Sequence, residues 1–469
     1  MRHPDLPMSS ISRATDAPRR RSASRVRASL AWALVLLLAI SPIPLGSTTP
    51  LSWSIWCFLL GLCAAIYALA QGVRGGRPPA SASMPLRIGM VLYGLLCAYL
   101  LIQALPLGDL IAPFAVTVSD GSSIAFRTLS VSPGDTWLML VQVISFGILF
   151  FLVREVARDH KLRNFLLRSI VLIAVAHALY ALVALYQLDD TLLGSPKTKY
   201  FGSATGTFLN RNSFANFLAL GLVVALTLAM RSLVQRRHDR LRISLDTAAM
   251  LYLVAVAILM TTIVLTNSRA GLGVAVIGIL IVLSASLSTN FRGARSLVVI
   301  VPIALILFVG MFLATGEQLW LRFEDTASDF NFRLELYKQV IDLIAQRPFL
   351  GFGGGAFEQA FPIAHTSRLP NDLTWDKAHN TYLELWADLG LIAGSIPMIL
   401  VAGLAIMLVI GLVQRRGSMA GQTVAIAAIA IGGFHSIVDF SLQIETIAFM
   451  FITLCAIGLA STETRTAEA

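Results

Sequence analysis

The run Lys377-Ala378-His379-Asn380-Thr381-Tyr382-Leu383-Glu384-Leu385-Trp386 marks the point where a long polar interruption, roughly 315–380, gives way to apolar chain. On both sides of that interruption the sequence is membrane-like. Of 469 residues, 56% are hydrophobic and 13% charged, with a mean hydropathy of +0.76. Soluble domains carry about twice that share of charge. A span needs about 20 mostly apolar residues, and hydropathy picks out about twelve such runs. They fall near 29–46, 51–71, 86–105, 136–154, 166–186, 212–231, 247–266, 271–287, 296–314, 384–413, 420–437 and 444–460. The expected fold is an all-α polytopic membrane protein of about twelve transmembrane helices.

Charge sets the expected orientation. Alternate linkers are basic: Arg74/Arg77, Arg154/Arg158/Lys161/Arg163, Arg231/Arg236/Arg237/Arg240/Arg242, Arg292/Arg295 and Arg415/Arg416. The opposite linkers hold little beyond Arg127, Lys197, Lys199, Arg211 and Arg269. By the positive-inside rule the basic set and both termini are cytoplasmic, and the long loop lies outside. This divides the chain into a basic tail (1–28), spans one to nine (29–314), an outer loop with interfacial helices (315–383), spans ten to twelve (384–460) and a short cytoplasmic tail (461–469). The net charge of +10 comes mostly from topology-setting arginines, and no nucleic-acid recognition module accompanies it. The first apolar run ends in Ser41-Pro42-Ile43-Pro44-Leu45-Gly46 without an Ala-x-Ala site, so it reads as an uncleaved span. Cys57, Cys63, Cys97 and Cys455 all fall within predicted spans without metal-ligand spacing, which indicates neither a disulfide nor a zinc site.

Two outer segments carry local patterns. Between spans three and four, Thr117-Val118, Ile124-Ala125-Phe126 and Leu129-Ser130-Val131 alternate about Asp120-Gly121, which predicts a small hairpin with a capping role. In the long loop, Phe332, Leu336, Val340, Leu343 and Ile344 recur at helical spacing, so 331–346 reads as an amphipathic helix ended by Pro348. That helix either lies along the membrane interface or packs on the outer ends of the spans. Next comes Gly351-Phe352-Gly353-Gly354-Gly355, which lacks the Lys-Ser/Thr of a nucleotide-binding loop. It reads as a tight turn, with a contribution to a diphosphate pocket as the alternative.

Ionisable residues at the outer ends of spans are the chemical leads, because burying them in hydrocarbon costs several kcal/mol without partners. Arg269 lies in Thr266-Asn267-Ser268-Arg269-Ala270-Gly271 and Arg211 in Asn210-Arg211-Asn212-Ser213. The bland reading of each is an arginine snorkelling to headgroups. Arginine's planar fork suits phosphate oxygens, and a histidine near its reference pKa accepts a proton around neutral pH. With His379 on the same face, the set is suited to hold a diphosphate and deprotonate a hydroxyl. His435 and Asp439 are spaced i, i+4 on span eleven, which predicts a shared helix face, either as a structural pair or as a proton relay. His177 reads as a packed polar residue, and Glu324, Asp325 and Asp329 as a solvated acidic face, since their spacing matches no standard ligand set.

Four landmarks in order resemble the O-antigen ligase and Wzy-type polymerase superfamily. They are Gly206-Thr207-Phe208-Leu209-Asn210-Arg211-Asn212-Ser213-Phe214-Ala215; Ser268-Arg269-Ala270-Gly271; Arg333 ahead of a helix ending in Pro348-Phe349-Leu350-Gly351-Phe352-Gly353; and His379-Asn380, nine residues, then Gly390. The tail His435-Ser436-Ile437-Val438-Asp439-Phe440 is similar as well. The landmarks cover roughly 200–440, and Arg211 departs from relatives that place another residue between the two asparagines.

The resemblance implies a metal-independent, cofactor-free inverting glycosyltransferase of the GT-C type in the bacterial inner membrane. It would move a glycan from undecaprenyl diphosphate to an acceptor hydroxyl in the periplasm, with membrane lipids and no nucleic acid as further partners. His379 is implied as the base or acceptor-orienting residue and Arg269 and Arg211 as diphosphate ligands, with Arg333 and Arg347 in reserve. Asn380, Gly390, His435 and Asp439 would support them. The acceptor is lipid A-core for a ligase, the preferred reading, or a growing chain for a polymerase, with protein as a third option. A transporter or flippase is the alternative of another class. It predicts charges near the bilayer midplane and internal repeats, whereas these charges gather at the outer ends. A membrane scaffold would leave His379 and the arginines unexplained.

Overall fold

The computed structural model describes residues 9–72, 83–108, 114–117, 123–237, 240–243, 245–290, 323–370, 374–414 and 416–463. The expected ninth span, 296–314, and the Asp120-Gly121 turn lie outside the described residues. Among those described, thirteen helices run in order: α1 (Ser9–Ile40), α2 (Pro50–Gly72), α3 (Met84–Ala104), α4 (Pro133–Ala157), α5 (His160–Tyr186), α6 (Arg211–Leu233), α7 (Thr247–Leu265), α8 (Arg269–Asn290), α9 (Phe323–Gln346), α10 (Phe357–Ala360), α11 (Thr381–Val413), α12 (Met419–His435) and α13 (Glu445–Glu463). Nine of them, α2 to α8, α11 and α13, are long and apolar enough to cross a membrane, and α12 is a shorter apolar helix. The protein is an all-α, multi-pass membrane protein.

Their starts follow ordinary capping chemistry. The Asp159 carboxylate accepts the Lys161 and Leu162 N–H groups at the head of α5, and Asp246 accepts that of Ala249 in α7. α1 stops at Ile40, short of the expected 46, because Pro42 and Pro44 cannot continue a helix. The chain turns there through left-handed Leu45, Gly46 and Ser47, and Ser47 Oγ accepts the Trp56 indole N–H at 2.8 Å.

At the centre stands α6, whose apolar window is 94% buried, with α13 at 89% beside it. α6 packs on α5, α7, α8 and α12, and α13 packs on α12 and α4. α2, α3 and α11 face outward, with 17%, 11% and 11% of their windows buried. Small residues allow the close crossings: a Cβ on Gly271 would stand 2.3 Å from Ala215 Cβ, between α8 and α6.

The ends of the bundle differ in charge. At one end Arg154 Nη2 meets Glu463 Oε1 at 2.7 Å, Arg158 Nε meets Glu463 Oε2 at 3.1 Å, and Arg231 donates to Asn164. The Arg236–Arg242 linker at this end is a hairpin of β5 (Val234–Arg237) and β6 (Arg240–Ile243); β3 (Thr191–Leu192) and β4 (Ser195–Pro196) pair at the other end. There too, β1 (Phe114–Thr117) pairs antiparallel with β2 (Ser123–Phe126), the expected hairpin. Leu129–Val131 is not a third strand. Its amides are taken up elsewhere, Ser130 N–H by Gln103 O and Val131 N–H by Phe352 O.

The expected amphipathic helix is α9, and it begins earlier than residue 331. Leu336, Val340, Leu343 and Ile344 pack on Phe352, Phe357, Phe361 and Ala387, a small core of its own over the start of α11, while Phe332 stays exposed. The glycine run then crosses α11 backbone against backbone. Phe352 and Gly353 N–H donate to Ala387 and Asp388 O, each at 2.9 Å, and Leu391 N–H donates to Pro348 O at 2.7 Å. α11 breaks at that crossing, with Gly390 at φ 74° and ψ 168°. A Cβ there would lie 2.3 Å from Phe349 O. Both strain and clash therefore oppose Gly390→Ala, a loss of about 2 kcal/mol or more. Fluorescence-detected size-exclusion melting should show a lower Tm for this variant, together with reduced membrane yield.

Candidate active site

His379 occupies a left-handed turn, φ 50°, between the loop and α11. Its carbonyl accepts the Tyr337 hydroxyl at 2.9 Å, and Asn380 Oδ1 caps α11 through the Tyr382 and Leu383 N–H groups. The imidazole packs edge-on to Phe440, ring centroids 5.1 Å apart, and Nδ1 is buried without a hydrogen-bond partner among the described residues. Burial pushes the imidazole pKa below the usual histidine value, while Asp439 pulls it up and Arg333 presses it down. Burial thus favours the neutral imidazole, which has a lone pair to accept a proton.

Asp439 and His435 do not share a helix face. α12 ends at His435 because several of the following carbonyls are drawn to other elements: Ser436 O by Thr381 N–H, Ile437 O by Tyr337, and Val438 O by Arg333 Nη1 at 3.2 Å. The turn that results still carries Asp439 to the histidines. Asp439 Oδ1 accepts the Phe440 N–H, whereas Oδ2 and both His435 ring nitrogens are buried without partners among the described residues. His379, Asp439, Arg333 and His435 thus form one cluster built from the loop, α9 and the end of α12.

Arg211 and Arg269 begin α6 and α8, two adjacent helices that start at this same end of the bundle. Ser268 Oγ accepts the Gly271 N–H, and left-handed Asn267 ties the hinge to Gly202 and Ser203. Arg269 is exposed, and the Arg211 guanidinium lies 5.2 Å over the Tyr200 ring. Ser213 and Ser441, 3.4 Å apart, link the start of α6 to the turn after Phe440, and so to the face of His379. Arg347 is used elsewhere: Nη1 donates to Leu129 O at 3.0 Å, and the guanidinium covers the Phe352 ring.

The glycine run offers no cradle for an anion. The N–H groups of Gly351, Phe352 and Gly353 donate to Arg347, Ala387 and Asp388 carbonyls, that of Gly354 to Gln103 Oε1, and that of Gly355 to Asp388 Oδ2. All five are consumed internally, which supports the tight-turn reading. His177 is packed, as expected, edge-on to Phe217. The side chains of Glu324, Asp325 and Asp329 lie outside those described, and no cluster suited to a metal ion occurs among the described residues.

Beside the cluster opens a cavity of about 1090 Å³. Lys197, Lys199, Glu358, Asp376 and Lys377 line it at the loop end, and Phe146, Leu400, Val401, Phe451 and Ile452 line it deeper among the helices. Ile452 is seven residues into α13, about 10 Å down its axis. The neighbours of His379 on this wall are Lys377, Thr381 and Phe440. Burial opposes the Lys377 charge, but Glu384, Asp388 and Asp376 outweigh it and hold its pKa above the usual lysine value. Sequence reading singled out neither Lys377 nor Glu384, although both stand beside the Asn380 cap at a spacing that brings them together.

Residues 253–398 match the Wzy_C family model, described as O-Antigen ligase. The chain carries a domain of the O-antigen ligase and Wzy-type superfamily. That Wzy_C stretch contains Arg269, Arg333, Arg347, His379, Asn380 and Gly390, while Arg211, His435 and Asp439 lie outside it. No curated protein matches the chain. Over those residues the similarity supports an O-antigen ligase or polymerase type of function in general terms.

The environment of His379 sets its titration. Carbethoxylation attacks the neutral imidazole, so its half-point for His379, followed by peptide mass spectrometry across pH, is expected below 6.5. Asp439→Asn removes a carboxylate that favours the imidazolium, and should move the half-point lower still.

Proposed function

We propose that the protein is an inverting membrane glycosyltransferase that moves a glycan from undecaprenyl diphosphate to an acceptor hydroxyl on the periplasmic face, as an O-antigen ligase does with lipid A-core. The observation that carries this reading is a half-buried His379, grouped with Asp439 and Arg333 and adjoining Lys377, Thr381 and Phe440 on the wall of a cavity polar at one end and apolar at the other. A lipid-linked glycan has that same polarity: its chain suits the apolar depth and its diphosphate and sugars the polar end.

Chemistry follows from these groups. His379 takes the acceptor hydroxyl proton as the oxygen attacks the anomeric carbon. The bond from that carbon to the diphosphate oxygen breaks, and the electron pair leaves on the diphosphate. Arg269, Arg211 and Arg333 stabilise the charge that develops there, most strongly in a site closed to water. Asp439 favours the imidazolium once formed, so it assists the step that burial alone would hinder. No nucleotide sugar is present outside the cytoplasm, so the bond energy arrives on the lipid.

Orientation is part of the same proposal. The end bearing Arg154, Arg158 and Arg231 faces the cytoplasm of the inner membrane, with both termini, and the His379 end faces the periplasm. The proposed division is the one expected from sequence, with the catalytic loop spanning 315–383.

Deletion of the gene, complemented by wild type, His379→Ala or Arg269→Ala, tests the reading on gels of surface and lipid-linked glycans. Each variant should lose transfer by 10²-fold or more, roughly the contribution of a general base or an oxyanion-stabilising group. Long chains accumulating on the lipid carrier indicate a ligase, and single units indicate a polymerase. Full transfer by His379→Ala at matched membrane levels would overturn the assignment.

A further inference from the structure

The turn carrying His379 is held by a carboxylate that the transfer step itself does not use. Glu384 is buried in the first turn of α11 and reaches back toward the residues before the helix. Its Oε2 accepts the Ala378 N–H at 2.9 Å, and its Oε1 lies 3.3 Å from Lys377 Nζ. Asn380, on the other side of His379, is fixed by its own cap. His379 is thus clamped from both sides in the left-handed region, where a residue with a Cβ persists only when its surroundings hold it.

Lys377, Thr381, Glu384, Leu385 and Asp388 line the cavity, and the His379 imidazole packs on Phe440, another of its lining residues. Glu384 therefore stands on the cavity wall beside the turn that carries the base. Resting on the transferase reading, we infer that Glu384 is the positioning residue for His379: by gripping the Ala378 amide and the Lys377 ammonium it maintains the turn that aims the imidazole at the acceptor hydroxyl. Both of its oxygens are taken up by the turn, Oε2 by the Ala378 N–H and Oε1 by the Lys377 ammonium. Its effect falls on rate, because a misplacement of about 1 Å at the reacting centre lowers turnover by up to 10²-fold while leaving binding intact. A merely structural ion pair would alter stability and leave the turnover of folded protein alone.

The experiment uses full-length protein in vesicles, with lipid extract and membranes of the deletion strain supplying donor and acceptor. Glu384→Leu removes both contacts, and Glu384→Gln keeps an acceptor for the Ala378 N–H. Lys377→Met/Glu384→Leu removes both partners together, so neither is left charged without the other, and it reports on the clamp where Glu384→Leu alone fails to fold. For Glu384→Leu and the double variant, kcat should fall roughly 10²-fold with KM for the lipid-linked donor unchanged. Glu384→Gln should recover much of that loss. The acid limb of the rate profile should also move to lower pH, since Glu384 is one of the charges that raise the His379 pKa.

A double variant with wild-type kcat and an unmoved acid limb would overturn the inference. So would a loss that tracks Tm alone and is not restored by glutamine. His379→Ala, assayed alongside, separates the two levels of the argument. Retained transfer there sinks the transferase reading itself, whereas an inactive His379→Ala beside a fully active double variant sinks only the role of Glu384.

Discussion

The architecture around the candidate site depends on one backbone contact, the seating of Pro348–Gly355 across α11 at Ala387–Leu391. Two main chains meet there without side chains between them, which is why Gly351 and Gly390 both adopt positive φ and why a Cβ on either would collide with the opposite backbone. Gln103 completes the seat from α3: its amide donates to Leu350 and Asp388 carbonyls and accepts the Gly354 N–H. Tyr99 adds a bond to Leu350 O. The loop, α3 and α11 are thereby locked together. The lock sits within three turns of His379, so the position of the imidazole is inherited from it.

On that frame the electrostatics divide by position. At the end of the bundle marked by Glu463, Arg154 and Arg158 meet Glu155 and Glu463 in ion pairs. At the His379 end the pairing is incomplete: His435, Asp439 Oδ2 and His379 Nδ1 are buried without partners among the described residues. Buried polar atoms without partners are expensive. Sites that must receive a ligand's polar groups tolerate that penalty, whereas sites that serve only packing do not.

Much of this was legible from sequence, and the parts that were not share a cause. Helices came from apolar length, the hairpin at 114–126 from alternation about Asp120-Gly121, and the turn role of the glycine run from the absence of a nucleotide-loop lysine. The shared face of His435 and Asp439 failed because periodicity assumes a helix continues, and what stops α12 is long-range: a tyrosine and an arginine on α9 and the amide of Thr381 take its next carbonyls. The contact of Arg347 with Leu129 was hidden for the same reason, since the two are distant in sequence. Grouping of His379 with Arg333 was foreseeable only as shared placement in one loop. Composition likewise cannot tell α6, enclosed by protein, from α11, facing outward, because lipid and protein interiors are equally apolar.

That enclosure bears on how the chain is made. α6 is covered partly by α12 and α13, which are synthesised well after it. It also carries Asn216, fully buried, with neither amide atom partnered among the described residues. A nascent chain that still lacks α12 and α13 presents that uncovered span to hydrocarbon, where an unsatisfied amide is unfavourable by several kcal/mol. Assembly therefore closes late, around a mast inserted early. A stop codon within α12 or α13 unseals the middle of the bundle, even though every residue of the loop that carries His379 has already been translated.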